Sequence, residues 1–388
     1  MFRPASRNDR IAPFHVMALL ARAQALQAQG RDVIHLGVGE PDFATPEPIM
    51  QAGQRALSGG LTRYTPATGL PALREAIAAY YQDRFQVAVL PEQVIVTPGA
   101  SGALQLALAL VVNPGDGVLL SDPGYPCNRH FVELVNGSPQ MMLLGDDGQV
   151  TEPLVRSSWR QSTVAALLAS PDNPTGNVLS VEQCRGIAAA VQQRNGALIM
   201  DEIYQGLVYE EPAHTILSVA PESLVINSFS KYFGMTGWRL GWMVVPLECI
   251  APLERMAQNF FIAPATVSQH AALAAFLPET RTELDRRRDV LNARRRLLLD
   301  RLPDMGFKVV GQPRGAFYVY CDVSDITQDS FRFCEQLLDQ GHVALTPGAD
   351  FGDLHQPAKH LRIAYTTDES RLEEALDRIC RFISGNGE

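Results

Sequence analysis

The sequence predicts an α/β protein with a mostly parallel sheet and a second, smaller α+β domain. From about residue 90 to 245, strand patterns such as V-I-V-T and A-L-I-M-D alternate with helical patterns. Such alternation is typical of a mostly parallel sheet covered by helices on both faces. After residue 281, short strand patterns and amphipathic helices follow each other, which indicates a smaller α+β unit.

Composition limits the possible functions. The 388 residues are 46% hydrophobic and 19% charged, which allows two domains, and the formal charge of −9 argues against nucleic acid as the main partner. The six cysteines are scattered without paired spacing, so reduced thiols are expected and neither disulfides nor a metal site. We find no signal-peptide pattern and no apolar run of membrane-spanning length, and therefore expect a cytoplasmic protein.

The N-terminal part predicts two helices around a glycine-rich loop. Residues 14–29 are rich in good helix formers, and Gly30 is a plausible end. A short strand then leads into G-V-G-E-P-D-F, where E-P-D replaces what a dinucleotide fingerprint requires, so a nicotinamide site is not supported. The next helix should begin near Pro71, because proline suits the first helical turn.

The central strands lead into loops with polar or aromatic residues. V-I-V-T is followed by a glycine turn and an apolar helix, whose first N–H groups near Ala100 and Ser101 would form an anion site. Later loops contain Tyr125, Asn173 in N-P-T-G, and Asp201 at a strand end. Taken singly, none of these residues indicates a functional site. Tyr125 could be a core tyrosine, N-P-T-G could be an ordinary turn, and Asp201 could be a cap.

The C-terminal part predicts a long helix between residues 280 and 302. Leu284, Leu291 and Leu298 form one apolar seam on it, and we expect this helix to bridge the two domains. Its basic run, residues 286–296, is interleaved with acidic residues and predicts a solvated face. Strand patterns (F-K-V-V, A-F-Y-V-Y, H-V-A-L-T, L-R-I-A-Y) and helices over residues 330–341 and 368–384 complete the chain.

One stretch, residues 227–241, reads N-S-F-S-K-Y-F-G-M-T-G-W-R-L-G. Lys231 stands among small and hydroxyl residues, which suits a reactive lysine held on a tight turn. Ser228 and Arg239 supply the donors that a phosphate needs. This stretch resembles the pyridoxal-phosphate lysine segment of class I/II aminotransferases, which have the aspartate-aminotransferase-like fold. The resemblance spans Leu36 to about Tyr365, with the motifs in the family's order.

The resemblance implies a pyridoxal-phosphate-dependent transferase of fold type I, with a mostly parallel sheet of the seven-stranded type. It divides the chain into an N-terminal arm with part of the small domain (1–45), a large cofactor-binding domain (46–280) and a small C-terminal domain with the bridging helix (281–388). Lys231 would hold the cofactor and move the substrate proton, and Asp201 would pair with the pyridine nitrogen. Tyr204 and Asn173 would bind the phenolic oxygen, and Tyr125 would stack on the ring.

The resemblance also assigns the phosphate and the substrate. The phosphate would be bound by Ala100, Ser101, Ser228, Arg239 and Tyr64, with Tyr64 crossing from the other subunit of a homodimer. Gly39 would let the backbone approach the substrate carboxylate, Asn173 would contact the substrate, and Arg362 would bind its α-carboxylate through a planar fork. Asn128 departs from the pattern, because some family members have a histidine there behind the aspartate. The group that orients Asp201 therefore stays open.

Three functions remain to be compared. An aminotransferase working by a ping-pong mechanism is favoured, and a lyase of the same fold that eliminates a β-substituent is the alternative. A transcription regulator would need a DNA-binding domain before this fold, and the roughly 40 residues before the Gly39 loop are too few for one.

A few positions bear on the class of substrate. Ser101 stands where some prokaryotic aspartate enzymes have a lysine, which disfavours aspartate. We expect a neutral, apolar or aromatic L-amino acid, with 2-oxoglutarate or pyruvate as acceptor. Residues that would line an apolar entrance pocket are Phe14, His15, Phe260, Phe261 and Ile262.

Overall fold

The computed structural model of the chain describes residues 2–11 and 15–385. The strands are β1 (Ile34–His35), β2 (Val94–Thr97), β3 (Gly117–Asp122), β4 (Ser138–Leu143), β5 (Thr163–Ala169), β6 (Ala197–Asp201), β7 (Leu224–Ser228), β8 (Gly241–Val244), β9 (Lys308–Val309), β10 (Tyr318–Asp322), β11 (Val343–Ala344), β12 (Thr346–Pro347) and β13 (His360–Ala364). The helices are α1 (His15–Ala28), α2 (Glu47–Ser58), α3 (Pro71–Phe85), α4 (Gly99–Val111), α5 (Cys127–Leu134), α6 (Glu152–Ser158), α7 (Val181–Gln192), α8 (Leu247–Phe260), α9 (Thr266–Ala272), α10 (Pro278–Arg301), α11 (Ser330–Gln336) and α12 (Glu369–Gly385).

Seven strands form the large sheet, in the order β2-β8-β7-β6-β5-β3-β4. All neighbouring strands are parallel except β8, which is antiparallel to both β2 and β7. The carboxyl ends of the parallel strands and the first residue of β8 therefore lie at one edge. In sheets of this kind, ligands bind at that edge. The predicted α/β class with a mostly parallel sheet is confirmed.

Both faces of this sheet are covered, because successive residues of its strands face opposite sides. Ile95 and Ile199 pack in one hydrophobic cluster with α4. Their neighbours Val94, Val96 and Leu198 pack in the other cluster. The strands are therefore continuously apolar, as the sequence pattern indicated.

A second sheet is antiparallel, in the order β12-β13-β10-β9, and β1 pairs with β11 in a separate parallel pair. In the second sheet Tyr320 of β10 lies directly opposite Arg362 of β13. The leucine seam of α10 is confirmed, since Leu284 and Leu298 are fully buried. The domain boundaries drawn from the sequence stay predictions.

One expectation for the charged helix was wrong, and one helix was missed. The basic run of α10 is not wholly solvated: Arg294 and Arg295 are buried and form ion pairs with Asp42 and Glu210. Helix α9 begins only after Pro264, because proline disfavours helical conformation in the residue before it. Helix α8, which contains Pro252, was missed.

No helix within residues 2–11 and 15–385 is both long and apolar enough to cross a membrane.

Candidate active site

The carboxyl edge of the large sheet collects most of the predicted site residues. Each follows the strand that positions it: Ala100 and Ser101 after β2, Tyr125 after β3, Asn173 after β5, Asp201 at the end of β6 with Tyr204 after it, and Ser228 at the end of β7 with Lys231 after it. Arg239 reaches the same edge because it precedes the antiparallel β8. Gly39 follows β1, and Arg362 lies on β13.

The side chain of Lys231 reaches the loop that follows β1. Its Nζ donates a hydrogen bond to the carbonyl oxygen of Gly39 over 2.6 Å. Burial lowers the pKa of Lys231 to about 8; nearby Glu40 opposes this shift, and Arg362 reinforces it. A substantial fraction of this amine is therefore neutral near physiological pH, as a nucleophile or general base requires.

Asp201 is a buried carboxylate that forms no ion pair with the other described residues. Burial raises its pKa to about 7, whereas the backbone N–H of Ile203 and the charge of Lys231 lower it. The Ile203 N–H donates to Oδ1 over 3.0 Å, and this contact orients the side chain. A buried carboxylate of this kind suits a cationic ring nitrogen, which would restore its ordinary ionisation.

Arg362 is held between two aromatic rings. Its Cζ lies 4.1 Å from the ring centroid of Tyr318 and 4.8 Å from that of Phe351. Nη1 donates to Asn173 Oδ1 over 2.8 Å, and Nη2 donates to the Gly37 carbonyl over 2.7 Å. Its Nε is buried without a partner among the described residues. The guanidinium is thus oriented while N–H groups remain for an anionic ligand.

Tyr318 belongs to this site and was missed in the sequence. Its hydroxyl hydrogen-bonds to the hydroxyl of Tyr204 over 2.9 Å. A Cβ at Gly39 would lie only 2.1 Å from the same hydroxyl oxygen, so glycine is required there by close approach. The signal was the strand A-F-Y-V-Y, whose alternation places Tyr318 and Tyr320 on one face. That this face meets Arg362 follows only from the strand register.

An anion cradle lies at the start of α4. Gly99 has φ +67°, and a Cβ there would lie 2.8 Å from Nη2 of Arg239, so the guanidinium lies against the helix N-terminus. Free N–H groups, the helix dipole and a guanidinium together favour a phosphate. The buried hydroxyl of Ser228 bonds to Ser230 Oγ over 3.0 Å and to the Leu240 carbonyl over 3.1 Å. Ser228 would have to exchange one of these contacts to bind an anion.

Two predicted aromatic residues differ in their placement. Tyr125 is half-buried, and burial, followed by neighbouring Cys127, raises its pKa far above the ordinary value, with Asp201 adding to the shift. It therefore lies within electrostatic reach of Asp201. Tyr64 is not packed in this chain, because its side chain is 80% exposed. Asn128 is buried, and within the described part of the chain its Oδ1 has no hydrogen-bond partner.

Of the five residues expected at an entrance pocket, the structure describes four, and their surroundings differ. The ring of His15 packs edge-on against Phe331 at 5.2 Å. Phe260 and Ile262 are more than half exposed. Phe14 lies outside the described residues. The pocket stays a prediction.

These features define an α/β enzyme of fold type I, with a buried lysine, a buried carboxylate, an oriented arginine and an anion cradle around one space. The family described as aminotransferase class I and II matches residues 31–379, and the chain belongs to this family. It is therefore an aminotransferase that depends on pyridoxal phosphate. The buried carboxylate and the anion cradle are the features of this structure that fit the cofactor's ring nitrogen and phosphate.

Relatives extend over the full chain. The valine–pyruvate aminotransferase of Mycobacterium tuberculosis is 38% identical, over 96% of this chain and 98% of its own length. The aspartate/prephenate aminotransferase of Thermus thermophilus is 36% identical, over 97% and 98% respectively. A crystal structure of an aminotransferase from Mycobacterium tuberculosis superposes with a TM-score of 0.95 at 37% identity, covering 99% of this chain and all of that one.

Proposed function

We propose that this aminotransferase moves the amino group of a neutral, apolar or aromatic L-amino acid to a 2-oxo acid, in two half-reactions of a ping-pong mechanism. The observation that carries the proposal is the buried amine of Lys231, whose pKa is lowered to about 8 beside Asp201 and Arg362. When bound, pyridoxal phosphate supplies an electron sink for the charge left at the substrate Cα.

Lys231 has two tasks in this scheme. Its Nζ would hold the cofactor when no substrate is bound. When it is free, the same Nζ would accept the proton from the substrate Cα and would give it up again on the cofactor side. The lowered pKa supports this role, since a lysine with the ordinary value would be almost fully protonated near neutral pH.

The residues around the ring each hold one part of the cofactor. Asp201 would pair with the pyridine nitrogen and keep it protonated, and Tyr125 would stack on the ring. Tyr204 donates to the phenolic oxygen, with its own hydroxyl oriented by Tyr318. Asn173 accepts from Arg362 through Oδ1, so its amide N–H groups are available to the same phenolic oxygen.

The phosphate is assigned to the cradle at α4. The N–H groups at Ala100 and Ser101, the guanidinium of Arg239 and the hydroxyl of Ser228 bind it, and Tyr64 of the partner subunit completes the site. The 80% exposure of Tyr64 supports a role outside its own subunit. Other exposed apolar side chains that support a homodimer interface are Leu57, Leu61, Phe260, Ile262 and Leu277.

The charges near Lys231 support a neutral substrate. Arg362 binds the α-carboxylate, and Gly39 leaves room for it. Among the described residues, the cations that act on the pKa of Lys231 are Arg362 and Arg239, and both already have an anionic partner in this scheme. A dicarboxylate would need a further cation. The two named relatives differ in substrate, one being a valine–pyruvate and the other an aspartate/prephenate enzyme. Membership of the family therefore does not fix the substrate, and the proposal rests on the charges of the site.

Visible absorption of the purified holoenzyme tests the proposal. Single L-amino acids are added without any 2-oxo acid, and we expect neutral apolar or aromatic ones to convert the cofactor band to the amine form. Lys231→Ala should lose the original band, whereas Lys308→Ala, a change of an exposed lysine, should keep it. Conversion by aspartate alone would overturn the substrate class. Release of ammonia and a 2-oxo acid without cofactor conversion would favour the β-eliminating lyase.

A further inference from the structure

A buried polar cluster lies next to the site and has no part in the scheme above. Asp122, the last residue of β3, is fully buried and accepts a hydrogen bond from His355 Nδ1 over 2.6 Å. Its carboxylate also accepts the backbone N–H groups of Asp353 and Leu354 over 2.9 and 3.0 Å. Burial by itself would raise the pKa of Asp122, but His355 and these backbone donors lower it below the ordinary value. The carboxylate is therefore ionised and paired at neutral pH.

The cluster continues to the second sheet. The other ring nitrogen of His355, Nε2, hydrogen-bonds to the hydroxyl of Tyr320. Tyr320 lies directly opposite Arg362 in the β10–β13 pair, so the two side chains share one face of that sheet. The Tyr320 ring also stacks on His360, with centroids 5.3 Å apart and planes within 8°. Asp122 is thereby connected to the strand pair that carries Arg362.

The loop held by Asp122 touches Arg362 directly. Phe351 lies in this loop, and its ring centroid is 4.8 Å from the Cζ of Arg362 and 5.7 Å from the ring of Tyr320. The carbonyl oxygen of Phe351 accepts the backbone N–H of Gly124 over 2.8 Å. Gly124 precedes Tyr125. The same loop therefore joins the segment of the ring-stacking tyrosine to one face of the carboxylate-binding arginine.

We propose that Asp122, His355 and Tyr320 are positioning residues, here called the relay, that hold Arg362 in place relative to the Tyr125 segment. The proposal rests on the proposed role of Arg362. None of the three touches the reacting atoms. Asp122 holds the loop in which Phe351 contacts the guanidinium. Tyr320 forms a hydrogen bond with His355 and thereby holds the strand pair on which Arg362 lies. Loss of the relay should loosen the binding of the substrate carboxylate and leave the cofactor site intact.

Tyr320→Phe and His355→Gln test the relay in the holoenzyme. Each removes the hydrogen bond between the two side chains while keeping most of the packing volume. We expect KM for the amino acid to rise about fivefold to twentyfold, with kcat changed less than about twofold. Cofactor affinity and the visible spectrum should stay as in the wild type. Tyr81→Phe is the matched control, because it also removes one buried tyrosine hydrogen bond, to Trp242, outside the relay.

A double-mutant cycle shows whether the effect passes through Arg362. Arg362→Lys should raise KM strongly by itself, and adding Tyr320→Phe should then raise it much less than in the wild type. Unchanged KM in both relay variants, or a loss of cofactor affinity at unchanged KM, would overturn the relay. So would full additivity in the cycle. An unchanged KM in Arg362→Lys is a separate outcome, which would overturn the role of Arg362 and the relay with it.

Discussion

At Gly39 the side chain of Tyr318 leaves no room for a Cβ. The carbonyl accepts from Lys231, and the Tyr318 hydroxyl lies 2.1 Å from the position of a Cβ. Gly39→Ala should therefore displace Tyr318 or the 37–40 backbone and lower kcat/KM by about a hundredfold. Steady-state kinetics with the best amino acid would measure this.

A second substitution separates that clash from other effects. Tyr318→Phe removes the hydroxyl and leaves the next ring atom 3.2 Å from the new methyl group. The pair Gly39→Ala/Tyr318→Phe should recover part of the activity lost in Gly39→Ala. If the double variant is as impaired as the product of the single ones, the steric explanation is wrong.

The amine of Lys231 should show its lowered pKa in cofactor uptake. Only the neutral amine reacts with an aldehyde, and its pKa is lowered to about 8 from the model-compound value of 10.5. The rate at which the apoprotein takes up pyridoxal phosphate should thus rise with pH and level off above about pH 8. Stopped-flow absorption across this range measures the midpoint. A midpoint near that of an exposed lysine would contradict the burial effect.

Above about pH 7, Asp201 should destabilise the apoprotein, although it contributes to cofactor binding. Its pKa in the folded chain, about 7, exceeds the ordinary 3.8, so the folded state binds more protons than the unfolded state between these values. Its contribution to stability is full at low pH and is lost as pH rises through about 7. Asp201→Asn should raise the Tm of the apoprotein by about 1–3 °C at pH 8, with a smaller difference near pH 5, and should weaken cofactor binding.

Thermal unfolding of the apoprotein at both pH values measures this difference. Asp304→Asn, a change of an exposed carboxylate, is the matched control and should leave Tm unchanged. A lower Tm for Asp201→Asn at the higher pH would show that the buried carboxylate stabilises the empty site.

The buried leucines along helix α10 stabilise the folded protein. Leu291 is 2% exposed, so Leu291→Ala removes buried methyl groups and leaves a cavity. We expect the free energy of unfolding to fall by about 2–4 kcal/mol. Leu90→Ala is the matched control, because Leu90 is 51% exposed. It should lower the free energy of unfolding by only about 0.5 kcal/mol, as is typical of surface substitutions. Chemical denaturation of both variants measures the difference, and equal losses would contradict it.

For the whole molecule, the placement of Tyr64 predicts that a complete site needs two chains. Lys231→Ala and Tyr64→Phe should each be impaired, the first by loss of the amine and the second by loss of a phosphate contact. If Tyr64 serves the partner subunit, a mixed dimer contains one site with neither change, and random mixing should restore about a quarter of the wild-type sites. Activity of subunits unfolded and refolded together measures this. No recovery above the separate variants, with mixed dimers present, would place Tyr64 in its own subunit's site or outside both.

The sequence by itself determined the class of the fold, the lysine segment, the family and the cofactor. Those features are local: strand and helix periods follow from backbone geometry, and the residues of the lysine turn are contiguous. It also predicted site roles for Asp201, Asn173 and Arg362, through motifs with short spacing, and these roles stay predictions. The pattern H-V-A-L-T was predicted as one strand, whereas the structure divides it into β11 and β12, because strands that short are defined by their partners.

Only the tertiary structure decided which distant residues support the site. Tyr318 became part of it because the register of β10 against β13 places its ring on Arg362. Asp122, His355 and Tyr320 come from three separate parts of the chain, and no periodicity connects them. Burial, which lowers the pKa of Lys231 and raises that of Asp201, is likewise a property of packing. Contacts across sheets depend on register and layer packing, and a local pattern does not contain either one.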